Sequence, residues 1–154
     1  MKRFKVPVST LILVYTPELE VLLLERADFP DHWQSVTGSQ EPGETLMQTA
    51  MRELREETGI AAEAFGGLAD WALANDFEIF PQWRHRYPEG TLHNTEHVFG
   101  LQVPAPMPVV IAPREHLQYA WVDWKEAAKR CFSWTNRDAI LLLPTRAGVP
   151  KGMP

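Results

Sequence analysis

The feature that most restricts this chain is a spaced pattern running from Gly38 to Ile60. It reads G-x5-E-x7-R-E-U-x-E-E-x-G-U, where U is a bulky aliphatic residue. Gly38, Glu44, Arg52, Glu53, Leu54, Glu56, Glu57, Gly59 and Ile60 fill it. At ordinary residue frequencies, so full a match from one starting point arises by chance on the order of once in 10⁹ trials. The pattern also dictates local structure. Thr45-Leu46-Met47-Gln48 forms a capping box, with Gln48 reaching back to the Thr45 backbone, and so predicts a helix from Thr45 to Thr58. Gly59 sits where a left-handed residue stops the helix, and β-branched Ile60 resumes extended chain.

At about 100° per residue, Leu46, Met47, Ala50, Met51 and Leu54 fall along one side of this helix, while Glu53, Glu56 and Glu57 gather on an adjoining side. Glu53 and Glu57 stand one turn apart, a like-charge pairing that costs about 0.2–0.5 kcal/mol on an isolated helix. A hard divalent cation relieves that repulsion, because Mg²⁺ prefers carboxylate and phosphate oxygens. Glu53 and Glu57 are therefore the first-choice ligands for Mg²⁺, with Mn²⁺ as a substitute. Glu56 either ligates a second ion or orients the attacking water. Arg52 pins a glutamate through a charge-assisted fork, and Glu44 joins from the loop. A run of acidic residues is usually only a solvated helix face. Gly38, Glu44, Arg52 and Gly59 in register set this one apart.

A chain of 154 residues with 45% hydrophobic content is expected to form one domain over its whole length, with a loose tail from Pro144 to Pro154. The net charge of −5 argues against a nucleic-acid partner, since an acidic surface repels phosphates, and a polyphosphate substrate then needs metal ions as bridges. Cys131 is the one cysteine; a half-buried structural thiol is expected, in keeping with a reducing cytoplasm. Pro7, Ser9 and Thr10 interrupt the apolar stretch from Val6 to Tyr15, and no run approaches the ~18 residues of a membrane span. A soluble, unexported protein with no membrane partner is expected. His32, His85, His93, His97 and His116 show no zinc-type spacing, so no histidine is assigned to metal.

Val6 to Tyr15 and Val21 to Leu24 read as strands of a hairpin joined by a turn at Thr16-Pro17-Glu18. Trp33 to Thr37 is a short extended segment, and Ala61 to Trp71, Thr95 to Val103 and Tyr119 to Val122 read as further strands. Pro104, Pro106 and Pro108 mark a connection. Helices are expected at Trp124 to Arg130 and Thr135 to Leu143.

The box resembles the signature of the Nudix hydrolases. That resemblance implies an α/β fold (α+β in some schemes) in which a mixed β-sheet is sandwiched between α-helices. Outside the box, the segments Asp31 to Gly38, Phe77 to Phe80, Arg84 to Tyr87, Asn94 to Glu96, Glu115 to Leu117 and Ser133 to Arg137 are similar to the branch of the family that acts on dihydroneopterin triphosphate. The likeness spans roughly Lys5 to Ile140. It implies Mg²⁺-dependent removal of pyrophosphate from that phosphorylated pterin, leaving the monophosphate, an early step toward folate.

Carried over by position, the resemblance makes Glu53, Glu57 and Glu115 metal ligands, and Lys5, Arg26, Thr37, Phe77, Glu78, Ile79, Phe80 and Ser133 substrate contacts. Cations and hydroxyls suit phosphate oxygens, and aromatic faces stack on a flat ring. The plain alternatives are surface charges for Lys5 and Arg26, core packing for Phe77 and Phe80, and backbone caps for Thr37 and Ser133. Two other functions compete: a nucleoside triphosphate pyrophosphatase of broad or nucleotide-sanitising specificity, and a non-catalytic ligand-sensing Nudix domain. The complete glutamate set speaks against the second.

Overall fold

The computed structural model describes residues 4–147. Its centre is β1 (Val8–Tyr15), where Leu11, Leu13 and Tyr15 alternate with Ile12 and Val14. Both sets are buried, but in different cores, which is why the run is apolar throughout and not alternating. Along one edge β1 pairs in parallel with β6 (His93–Gln102), from Val8 opposite Thr95 to Tyr15 opposite Gln102. β5 (Ala69–Glu78) continues the sheet beyond β6 in antiparallel sense.

The other edge of β1 is shared by two strands. β4 (Val36–Ser39) pairs antiparallel with Ser9 to Ile12, whereas β2 (Glu20–Arg26) meets β1 in register only at Tyr15 opposite Val21. The expected hairpin is thus closed at its turn and splayed beyond it, because β4 occupies the ladder positions that β2 leaves. β2 pairs instead with β3 (Trp33–Gln34) and β7 (His116–Asp123). Between β3 and β4, Ser35 loses its ladder partners. Asn136 replaces them, its Oδ1 accepting from the Ser35 backbone N–H at 2.8 Å and its amide donating to the Ser35 hydroxyl at 2.9 Å.

One face of this mixed sheet is covered by α1 (Leu46–Thr58), which inserts Ala50 and Leu54 against Ile12, Val14, Leu24, Val36 and Phe99. Losing a leucine side chain from such a site costs about 2–5 kcal/mol, so Leu54 fixes the helix on the sheet. The other face is covered by α2 (Trp124–Arg130), α3 (Trp134–Leu141) and α4 (Leu143–Ala147), which bury Ala127, Ala139, Ile140 and Leu143 against Leu11, Leu13, Leu23 and Val98. This is the sheet between helices that the resemblance implies.

Three expectations need correction. The segment from Ala61 to Trp71 is not one strand: Ala62–Phe65 forms a 3-10 turn, Gly66 and Gly67 follow in left-handed conformation, and the strand begins only at Ala69. Ala-Glu-Ala has little preference for a strand, and two left-handed glycines break any ladder. That strand then runs on to Glu78, through the segment left unassigned by periodicity. Finally, Pro144 to Ala147 is not loose, because Leu143 is buried and the Arg146 guanidinium donates to the Trp71 carbonyl at 2.8 Å. The rest of the expected tail, 148–154, lies outside the described residues. Among the described residues no helix is long and apolar enough to cross a membrane.

Candidate active site

The capping box forms as its sequence dictates: the Thr45 hydroxyl accepts from the Gln48 N–H at 3.1 Å, and the Gln48 side chain accepts from the Thr45 N–H at 2.8 Å. At the other end Gly59 adopts φ 76° and donates to the Arg55 carbonyl at 2.8 Å. Between these caps, Arg52 organises the acidic stripe. Its Nε and Nη2 grip the two oxygens of Glu44 at 2.6 and 3.0 Å, Nη1 donates to Glu53 at 2.8 Å, and Nη2 also reaches the Ser39 carbonyl at 3.1 Å. A two-toothed guanidinium–carboxylate pair holds direction as well as charge. It keeps the Glu44 carboxyl down at about 2, first through the Arg52 bond and then through the Glu41 N–H and the Thr49 hydroxyl, against the opposing effect of burial.

Gly38 lies in β4 directly under this stripe. A Cβ built there collides with the Glu53 carboxylate, so only glycine lets the strand pass beneath it. Glu56 is different: its side chain is 57% exposed and its bond to Arg52 is 3.3 Å. Glu44, Arg52 and Glu56 do not line the cleft described below, whereas Glu53 and Glu57 do.

Glu57 is 2% exposed, and its Oε1 has no hydrogen-bond partner among the described residues. Glu115 and His116 reach it from the start of β7, where β2 and β7 shift register opposite Arg26 and the Ala27 N–H donates to the Glu115 carbonyl at 2.9 Å. One ligand atom from each of Glu57, Glu115 and His116 lies within 4.8 Å of the others. The expected approach of Glu115 to the box helix is therefore present. His116, which the histidine spacing does not assign to metal, is buried in the same candidate group. Burial, with Arg26 nearby, pulls the His116 ring down to about 4, which leaves it neutral and able to ligate at neutral pH.

Burial, then the hydrogen bond and charge of Glu53, push Glu57 well above the usual carboxylate range. Burial also raises Glu53, against the lowering effects of Glu57 and Arg52. Crowded carboxylates with an unpartnered buried oxygen and a neutral imidazole form a donor set that fits a divalent cation, which reverses the cost of ionising them.

A cleft of about 740 Å³ runs from this cluster to an aromatic corner. All eight substrate contacts expected from the resemblance line it: Lys5, Arg26, Thr37, Phe77, Glu78, Ile79, Phe80 and Ser133. Their local roles differ. Arg26 forks onto Asp28 at 2.7 Å through Nε and Nη2, donates to Gln34 at 3.0 Å, and lies 4.2 Å over the Trp83 ring. Thr37 donates to the Thr10 carbonyl at 3.0 Å, and Ser133 caps α3, so each is a local bond-former that also faces the cleft. Ile79 is a buried wall, and Glu78 is held by Arg84 at 2.7 Å. Phe80 is 37% exposed, so it is not core; its ring stands 5.4 Å from Trp83 and 5.7 Å from Phe132. Trp83, Phe132 and Arg86 line the cleft as well, and nothing in their spacing along the sequence joins them to the box.

The sequence pattern of the NUDIX domain matches residues 5–143. The chain belongs to the Nudix family. Nudix hydrolases use a divalent metal, and the cluster at Glu57 is a candidate site for one. The Nudix chain is 47% identical over 142 residues to the dihydroneopterin triphosphate diphosphatase of Escherichia coli K12, covering 90% of this chain and 93% of that one. The enzyme of the same name from Haemophilus influenzae is 39% identical over 142 residues, covering 91% and 89%. The solved structure of the E. coli dihydroneopterin triphosphate pyrophosphohydrolase superimposes with a TM-score of 0.88 at 45% identity, covering 94% of this chain and 99% of that one.

Proposed function

We propose that this Nudix hydrolase cleaves dihydroneopterin triphosphate with water, giving dihydroneopterin monophosphate and pyrophosphate on the way to folate, with Mg²⁺ as its cation. The observation that carries the reading is the continuity of one cleft. Its carboxylate end suits a metal-bridged polyphosphate, and its aromatic end suits a flat ring. The high identity to diphosphatases of this substrate, over nearly the whole chain, supports the same choice.

In this reading Glu53, Glu57 and Glu115 hold the cation, and His116 adds a neutral nitrogen beside them. When bound, the cation neutralises charge on the phosphate oxygens. Arg52 acts through others: it fixes Glu53 and Glu44 and leaves Glu53 directed across Gly38. Glu56, exposed beside Arg52 and outside the cleft lining, is left to orient water or to take a second ion. Lys5 and Arg26 supply positive charge for the triphosphate, and Thr37 and Ser133 supply hydroxyls. Phe77, Glu78, Ile79 and Phe80 form the wall along which the ring lies. A single half-buried cysteine, its thiol pushed up to about 12 by burial, fits a reducing cytoplasmic setting.

The test is a substrate panel at fixed Mg²⁺. The reading expects kcat/KM for dihydroneopterin triphosphate to exceed that for each common nucleoside triphosphate; a nucleotide turned over better than the pterin overturns it.

A further inference from the structure

Glu96 is a buried carboxylate that the metal cluster does not use. It lies in β6, is 6% exposed, and lines the same cleft. Its Oε1 has no hydrogen-bond partner among the described residues. A buried carboxylate without compensation costs several kcal/mol, whereas an aliphatic residue at this strand position costs nothing comparable. The group therefore needs a partner that the fold does not supply.

Its neighbours are already satisfied by one another. Ser9, directly opposite Glu96 in the β1–β6 register, gives its hydroxyl to Asn94 at 2.7 Å, and the Asn94 amide donates to the Tyr87 hydroxyl at 3.2 Å. The Thr135 hydroxyl favours the charged form of Glu96 but leaves Oε1 without a partner among the described residues. Burial pushes the carboxyl up to about 7, and Thr135 offsets this only in part. Glu96 belongs to no group of three or more metal-ligating side chains among the described residues, so a divalent cation lacks its ligand set here. What remains is a ligand that presents adjacent neutral N–H donors from the cleft.

The cleft supplies a setting for such a ligand. Phe77 pairs with Asn94 across β5 and β6 and lines the cleft beside Glu96, giving an apolar face next to an acceptor edge. Glu96 is also set off from the metal cluster. Gly38, under Glu53, is in β4, and β1 lies between β4 and β6, so the backbones that carry the two sites are two strand spacings, ~10 Å, apart. All of these carboxylates line the one cleft, as a ring joined to a triphosphate through a short carbon chain requires.

We infer that Glu96 is a specificity-determining residue, accepting hydrogen bonds from the 2-amino group and neighbouring ring N–H of a 2-amino-4-oxo-pyrimidine ring while the phosphates lie at Glu53, Glu57 and Glu115. The inference rests on the proposed pterin reading only for which ring is bound, since guanine carries the same donor edge.

The experiment compares wild type with Glu96→Gln and Glu96→Asp on dihydroneopterin triphosphate, GTP and ATP, and measures binding of unphosphorylated dihydroneopterin by calorimetry. Gln keeps the size but replaces one acceptor with a donor, and Asp keeps the charge but withdraws it by one methylene. In Glu96→Gln, kcat/KM for the pterin and for GTP is expected to fall about tenfold or more relative to ATP, chiefly through KM, with weaker binding of the free pterin. Glu96→Asp is expected to show an intermediate shift in the same ratio, and it carries the test alone if the Gln variant does not fold. Equal losses on all three substrates, or an unchanged ratio and unchanged pterin binding, overturn the inference. A wild type that prefers GTP to the pterin overturns the proposed substrate. A selective loss on GTP in the same variant then still supports the role of Glu96.

Discussion

The Nε2 of His116 lies 3.6 Å from Oε1 of Glu57, and both side chains are almost wholly buried. With the imidazole held neutral by burial, this contact is not an ion pair but two donor atoms turned toward one space. If that space holds the cation, His116→Ala raises the Mg²⁺ concentration needed for half-maximal activity by about tenfold or more, the usual range for losing a close supporting group of a metal site. An unchanged Mg²⁺ dependence, measured by titrating the metal at saturating substrate, assigns His116 to packing alone.

Gly38 is the second point of leverage. Because a Cβ there runs into the Glu53 carboxylate, Gly38→Ala displaces that side chain without touching its charge. A displacement near 1 Å at a reacting centre costs on the order of 100-fold in rate. The expected result is a loss of that order in kcat, with a cooperative unfolding transition retained; near-normal kcat excludes the strict packing of strand against carboxylate.

These two residues show what the sequence does and does not disclose. The box helix was legible to the residue, because capping and stop signals are local: Thr45, Gln48 and Gly59 act on their own neighbours. Glu115 is legible only by resemblance, and histidine spacing does not mark His116, because their approach to Glu57 depends on β7 pairing with β2. No periodicity reports such a long-range pairing. The aromatic corner is hidden in part for the same reason, since Phe132 meets Phe80 from a distant connection, whereas Trp83 follows Phe80 in the 3-10 turn Pro81–Arg86. The segment from Ala61 to Trp71 failed for the opposite reason, as local glycine geometry overrode an apolar run.

Glu44 yields a prediction about stability. Its carboxyl is held at about 2 in the fold against an ordinary 4.5, so its stabilising contribution is present above pH 4.5 and fades as pH falls toward 2. Glu44→Gln removes that contribution. The variant is expected to melt below wild type at neutral pH, and the gap is expected to close between pH 4.5 and 2. A gap that stays constant across that window, measured by thermal unfolding, shows that the Arg52 pairing contributes no pH-dependent stability.

Phe80, exposed at the aromatic corner, is expected to act on the ring and not on the phosphates. Phe80→Ala should raise KM for the pterin substrate about fivefold to tenfold more than for a nucleoside triphosphate, in line with stacking contributions of about 0.5–1.5 kcal/mol. Equal losses on both substrates assign Phe80 to support of the cleft wall.

A single assay reaches the cleft, its divalent cation and the bond cleaved: product analysis of dihydroneopterin triphosphate turnover with and without Mg²⁺, in wild type and in Glu57→Gln. The substitution keeps the side chain's shape and removes a buried charge, so the fold is expected to survive with an unchanged or higher melting temperature. The account predicts equal amounts of pyrophosphate and dihydroneopterin monophosphate from wild type, no turnover after chelation, and a rate lower by orders of magnitude in Glu57→Gln. Release of orthophosphate alone, turnover without a divalent metal, or a folded Glu57→Gln protein with near-normal activity contradicts it.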